Sequence, residues 1–428
     1  MKRKSLILVA LLLVLTASAQ TAREEIRENI FRSGSNYYAY PGPTQQKLTP
    51  APKGKKPFYI SHYGRHGSRH LISRSDYNNA LTPLLRADSL GKLTDLGRDV
   101  LSRVQRIYDE GYSRRGELTQ RGAEQHRQIA HRMYERFPDV FKGSAPIDAK
   151  STTVIRCILS MENALQELVS LNPKLRIKHD ASAHDMWYMN FDDRELSAKR
   201  MPEDVKKAYD EFCQRHYNYE RVMKLIFNDD NYWRNEVNAQ NLNYHLFKLA
   251  SNMQSLELRH SMTLYDLFNE QEVYDNWLQT NAWWYINYGP CPLNGAEQPF
   301  IERNLLRRMI EEADSCLQFD HPGATLRYGH EVCVMPLACL MELDNCAKQV
   351  SDLEQLADQG WLNYKIYPMG CNIQMVFYRK NLADKDILVK VLLNENEAKL
   401  PLQTDTAPYY KWADVRAYYL QKLNQYGR

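Results

Sequence analysis

The chain has 428 residues, 43% of them hydrophobic and 25% charged, and its 56 Lys and Arg against 52 Asp and Glu leave a formal charge of +4. That near balance excludes the broad cationic surface a nucleic-acid binder needs, so any concentration of positive charge is local. Its eight cysteines are scattered without a paired framework or a Cys-x-x-Cys, so no disulfide scaffold or zinc ribbon is indicated.

Lys2, Arg3 and Lys4, an apolar run over 6–15 and then Ala17-Ser18-Ala19 make the pattern of an export signal over 1–19. The apolar run is too short for a membrane anchor, and no cysteine follows the cleavage pattern as a lipoprotein would require. No later stretch is apolar enough to cross a bilayer. The expected mature protein is soluble and exported, periplasmic or secreted, with a formal charge of about +1 once those three cations are removed. Its length of about 400 residues has room for one large domain and a smaller one.

Residues 21–56 read as a short helix and an extended lead-in, rich in Pro, Gln, Gly and Lys beyond Tyr40. An apolar strand over 58–61 then runs into His62-Tyr63-Gly64-Arg65-His66-Gly67-Ser68-Arg69. Leu93-Thr94 and Leu118-Thr119 each precede an amphipathic pattern. With Thr as N-cap and Leu as staple, these predict helices over 95–110 and 120–137, the second stopped by Pro138. A strand over 145–148 follows, then a helix through Ser170 capped by Thr152 and carrying Arg156 near its start. Over 181–319 the pattern turns helical and aromatic, Trp283-Trp284-Tyr285 included. A strand over 325–328 leads through Gly329-His330-Glu331 into an apolar helix over 332–343. Strands over 372–379 and 387–393 are close enough to pair as a hairpin, and a helix over 413–423 closes the chain. The expected fold is α/β, a central sheet flanked by helices with an inserted, mainly helical cap subdomain. The core would comprise 20–180 and 320–428, and the cap 181–319.

The loop after the first strand has the composition of a phosphate site with a nucleophile in it. A histidine ring nitrogen can attack phosphorus, and the guanidinium forks of Arg65 and Arg69 suit phosphoryl oxygens. Gly64 and Gly67 let the backbone turn there and approach an anion. A metal site is the competing reading, since His62, His66 and His70 are spaced four apart and would line one face of a helix. The two glycines and the arginines oppose it. A non-catalytic glycan- or phosphate-binding protein, suggested by abundant Tyr and the Trp283-Trp284-Tyr285 cluster, would not need so many reactive groups.

Arg65-His66-Gly67-Ser68-Arg69, Leu118-Thr119 with Gly122 and Gln125, Arg156 in a helix after a strand, and Gly329-His330-Glu331 stand in one order along the chain. Together they resemble the histidine acid phosphatase branch of the histidine phosphatase superfamily, nearest to the multiple inositol polyphosphate phosphatases and bacterial phytase-like enzymes. The resemblance implies a hydrolase acting on a small phosphorylated molecule without metal or cofactor. His66 would be the nucleophile, Arg65, Arg69 and Arg156 would clamp the phosphoryl oxygens, and His330 would add a donor. Glu331 would be the acid that protonates the leaving oxygen. Where the inositol polyphosphate phosphatases show His-Ala-Glu and the other phytases His-Asp, this chain reads His330-Glu331-Val332, so Glu331 takes the aspartate position with a longer arm. His70 and Arg74, just past the loop, are placed to meet further phosphates of an anionic substrate. Inositol polyphosphates are the expected substrates, with a broad acid phosphatase for sugar or nucleotide phosphates as the alternative.

Overall fold

The computed structural model describes residues 21–426; the segment read as an export signal lies outside them. Among the described residues no helix is long and apolar enough to cross a membrane. Eight strands form one mixed sheet: β1 (Lys56–Arg65), β2 (Pro146–Ser151), β3 (Arg176–Asp180), β4 (Gly323–Gly329), β5 (Asn372–Arg379), β6 (Leu388–Leu393), β7 (Asn396–Glu397) and β8 (Tyr410–Lys411). The order is β3-β2-β4-β1-β5-β6-β7, with β8 also on β6. The first four strands in that order run parallel, and β5 joins β1 antiparallel and forms the expected hairpin with β6. Central strands covered on both faces read as continuous apolar runs, and β4 and β5 are buried at every position.

β1 runs four residues beyond the expected end at Ser61, because β4 and β5 satisfy its backbone on both sides. Gly64 therefore lies in the strand and makes no turn. A Cβ there would come within 2.8 Å of the His62 imidazole, so the glycine makes room for that ring. Register then does the positioning: Arg65 pairs with Gly329, and Ser151 lies opposite Tyr328. The chain leaves β1, β2 and β4 at one level of one sheet edge, the carboxyl end, where open α/β sheets place ligands.

Five helices, α1 (Ala22–Glu28), α2 (Arg74–Ser89), α3 (Asp95–Gly111), α4 (Gln120–Arg136) and α5 (Ile155–Leu171), lie in the first part of the chain. Thr94 and Thr119 cap α3 and α4 as expected, their Oγ1 atoms accepting from Gly97 N at 2.9 Å and Gly122 N at 3.3 Å. The N-cap of α5 is Val154, so Thr152 does not cap it. Between β3 and β4 the chain is helical, including Ala239–Met253, Glu270–Tyr288 and Arg303–Cys316. Leu246 and Trp277 of this block share one buried apolar cluster with Leu84 of α2 and Val104 of α3. Nothing in the hydrophobic periodicity announces α2, which carries Pro83 inside it.

Candidate active site

His66 follows β1 directly and is held by backbone on both sides: its N–H donates to Gly329 O and its carbonyl accepts from Gly370 N, each at 3.0 Å. The ring Nδ1 lies 2.8 Å from Gly67 O. A carbonyl can only accept, so Nδ1 carries the proton and Nε2 keeps its lone pair. Nε2 is buried and has no hydrogen-bond partner among the described residues.

The loop rests on α4 through backbone contact. A Cβ on Gly67 would sit 2.3 Å from Gly122 O, and one on Gly122 would sit 2.2 Å from Ser68 O. Thr119 Oγ1 donates to Ser68 O at 3.0 Å, while Ser68 N donates to Gln125 Oε1 at 2.8 Å. Gly67 N donates to Ser160 Oγ on α5 at 3.1 Å. The Thr119, Gly122 and Gln125 pattern is thus the seat of the nucleophile loop. Gly67→Ala must push that loop off α4, a rigid backbone neighbour. We expect a loss of about 2–3 kcal/mol in denaturant unfolding and a fall in turnover of about a hundredfold from misplacing the imidazole.

Around Nε2 stand three guanidinium groups. Arg65, fully buried, donates from NH1 to Tyr367 O at 2.9 Å and sets Nε 3.1 Å from Glu331 Oε2. Arg69 donates to His70 O at 3.1 Å, with its NH2 3.9 Å from Glu331 Oε1. Arg156 enters from the first turn of α5, and its charge is felt at His66, His330 and Glu331's neighbour Arg69. Arg65 Nε and NH2, Arg69 Nε and Arg156 Nε have no hydrogen-bond partner among the described residues. Buried guanidinium donors of this kind, with Glu331 as the carboxylate beside Arg65 and Arg69, are chemically suited to hold an anion. His330, at the head of the helix Glu331–Leu340, lies with its ring 5.9 Å from that of His66. Its Nε2 is 3.1 Å from Thr152 Oγ1, and Cys157 Sγ is 3.8 Å away.

Electrostatics match the placement. Burial lowers the basicity of His66 well below that of a free imidazole, and Arg65 and Arg156 act in the same direction against the pull of Glu331. Burial also takes His330 down to about 4, with Arg156, Arg65 and Arg69 assisting. Burial would raise Glu331, but Arg65, His66 and Arg69 outweigh it and hold the carboxyl well below its usual range. The carboxylate stands 3.6 Å from His66 Nε2, just outside hydrogen-bond distance.

The structure therefore gathers Arg65, His66, Arg69, Arg156, His330 and Glu331. Among the described residues no hydrogen bond or ion pair links the side chain of His70 or Arg74 to them. The His70 ring is buried, is held down to about 4 by burial, and feels Arg114 and Glu117; Arg74 is exposed at the start of α2. His62, His66 and His70 share no helix, and the His62 ring packs 5.2 Å from that of Tyr328. Donor atoms of His66, His330 and Glu331 do lie within 4.8 Å of one another. Arg65 and Arg69 lie 3.1 and 3.9 Å from the same Glu331 carboxylate and the Arg156 charge acts on both histidines, and these cations oppose a metal ion as strongly as they favour an anion. Sequence reasoning missed Cys157, Ser160 and the Tyr367 carbonyl, and took Thr152 for a helix cap. Thr152 alone carried a signal: it is the first residue past β2, level with Tyr328, whose carbonyl accepts its N–H at 3.0 Å.

Residues 102–394 match the family model of the histidine phosphatase superfamily (branch 2). That span includes Arg156, His330 and Glu331, and begins after the loop that carries His66. The solved multiple inositol polyphosphate phosphatase of Bifidobacterium longum in complex with phosphate is 18% identical over 92% of this chain and 99% of that chain, with a TM-score of 0.71. The same enzyme with inositol hexasulfate gives a TM-score of 0.67 at 18% identity, over 92% of this chain and 99% of that one. The phytase from D. castellii is 13% identical over 96% of this chain and 89% of that chain, with a TM-score of 0.69. At these identities the likeness is one of fold. No curated protein matches the sequence. With about two-thirds of its length inside the family match and the guanidinium and histidine cluster assembled at the sheet edge, the chain belongs to branch 2 of the histidine phosphatase superfamily and is a phosphatase.

Proposed function

We propose that the protein is an exported phosphomonoesterase that hydrolyses inositol phosphates through a covalent phosphohistidine on His66. The observation that carries this reading is the buried His66 Nε2, left with its lone pair by the Nδ1 to Gly67 O contact of 2.8 Å, with Arg65 and Arg69 grouped around the same Glu331 carboxylate and the Arg156 charge acting on the ring. The guanidiniums, with His330, would hold the three non-bridging oxygens as charge shifts in the transition state, while Nε2 attacks phosphorus opposite the ester oxygen. Water would then cleave the P–N bond, releasing phosphate and restoring the neutral imidazole. The helical block over 181–319 serves as the cap that shapes the leaving-group side. Inositol phosphates are the favoured class because the structural neighbours include a multiple inositol polyphosphate phosphatase and a phytase. The export pattern at 1–19 supports the location.

Phosphate release from a set of inositol phosphates and simple monoesters tests the activity. Excess chelator is expected to leave the rates unchanged, since the positive charge a metal would supply comes from arginines; loss of activity restored by a metal would overturn this mechanism. Acidity provides a second check. Attack needs the neutral ring, and the depressed basicity of His66 keeps it neutral on the acid side of 6.5. An ordinary imidazole with pKa near 6.5 would lose about thirtyfold of its neutral form by pH 5. Phosphorylation of His66 is expected to fall less between pH 7 and pH 5 than an ordinary imidazole would impose, measured by rapid quench.

A further inference from the structure

A cavity of about 640 Å³ lies beside the phosphate cluster, walled mainly by the helical block and by residues 33–37. The two meet at Tyr37, which lines the cavity and whose ring stands 5.6 Å from the Arg69 guanidinium. The catalytic residues themselves do not line this space, and Tyr37 is the lining residue that joins it to the phosphate cluster.

Its chemistry is close to neutral. Asp210 and Lys248 are the charged residues of the lining, and each is already paired, Lys248 with Asp76 at 2.6 Å and Asp210 with Lys206 at 2.6 Å. The rest is dominated by carboxamides and aromatic rings. Asn243 is only 6% exposed; its Nδ2 makes a long contact of 3.4 Å to Asn276 Oδ1, and its own Oδ1 has no hydrogen-bond partner among the described residues. Beside the amides, Trp283 is 37% and Tyr244 51% exposed, so large aromatic faces are open. Ring hydroxyls both donate and accept, as carboxamides do, and the C–H face of a saturated ring is apolar, as an aromatic face is. Each additional phosphate instead brings about −1.5 to −2 charges and calls for free cations, which this lining does not offer.

We propose that the cavity takes the ring that leaves with the ester oxygen, and that this is an uncharged, hydroxyl-rich ring, a sugar or cyclitol with its one phosphate at His66, in preference to a ring bearing several phosphates. The inference rests on the phosphomonoesterase reading and specifies the substrate class of that site.

The test compares kcat/KM for myo-inositol monophosphate, a hexose 6-phosphate, myo-inositol hexakisphosphate and nitrophenyl phosphate, whose leaving group has no ring hydroxyls. At least one of the two monophosphates is expected to exceed the hexakisphosphate by tenfold or more, and which one leads distinguishes cyclitol from sugar. In Asn243→Leu and Trp283→Ala the ratio of that monophosphate to nitrophenyl phosphate is expected to fall at least tenfold. Hexakisphosphate equal to or better than both monophosphates, or ratios unmoved by both substitutions, overturns the inference while leaving the phosphatase intact. If nitrophenyl phosphate is not turned over, the proposed function fails. Calorimetric titration of the same protein with the two monophosphates and the hexakisphosphate then decides the cavity on its own: tighter monophosphate binding, weakened tenfold by Asn243→Leu, supports it, and the reverse order overturns it.

Discussion

His66→Ala is expected to lower phosphate release by at least about 10⁴-fold with the thermal unfolding transition little changed. In the proposed mechanism His66 alone forms the covalent intermediate. Its ring nitrogen Nε2 makes no hydrogen bond whose loss would unfold the loop, and the backbone contacts to Gly329 and Gly370 survive the substitution. Acid-quenched labelled substrate should leave acid-labile phosphate on the unmodified protein and none on the variant. Residual activity within about tenfold of the unmodified enzyme would mean that water attacks phosphorus directly.

Glu331→Gln should divide substrates by their leaving groups. In the free site the carboxylate is the counter-ion of Arg65 and Arg69, held ionised and so unable to give a proton. A bound phosphoryl group brings its own negative charge to the same guanidiniums and competes for them. The proton affinity of Glu331 then rises, because a nearby anion disfavours a second one. Under the proposed mechanism that exchange would make it a proton donor at the moment an ester is bound. An inositol alkoxide needs the proton; nitrophenolate leaves without one. Glutamine keeps the size but has no acidic proton, so phosphorylation of His66 by inositol phosphates should slow by about 10²–10⁴-fold and by nitrophenyl phosphate far less. If Glu331 also activates water, nitrophenyl phosphate should give a burst followed by slow turnover. Equal losses on both substrates without a burst would place the acid elsewhere.

Much of this site is legible in the residues because its parts sit where strands end. Arg65 and His66 follow an apolar run, His330 and Glu331 follow another, and both runs are buried central strands whose patterning is strong. α3 and α4 are announced by their caps and the hairpin by its two apolar stretches. What the sequence hides is of two kinds. The first is tertiary override: β1 continues through His62, Gly64 and Arg65, residues with little strand signal, because neighbours on both sides satisfy its backbone. The second is long-range partnership. Thr152 meeting His330 and Gly67 resting on Gly122 depend on register across distant segments, which no local pattern encodes.

The pairing of β1 with β4 sets Tyr59 opposite Gly323, and the Tyr59 hydroxyl donates to Thr325 Oγ1 at 2.8 Å across a separation of 266 positions. During synthesis the nucleophile and two of its arginines emerge long before His330 and Glu331 exist. Closing a loop of that length is among the slower steps available to a chain. A chain made only through α5 thus holds the histidine and the three arginines of the proposed site, with neither His330 nor Glu331 to complete it. Under the proposed mechanism hydrolysis waits until the last quarter of the chain pairs with the first strand, so the enzyme is silent until its topology is complete.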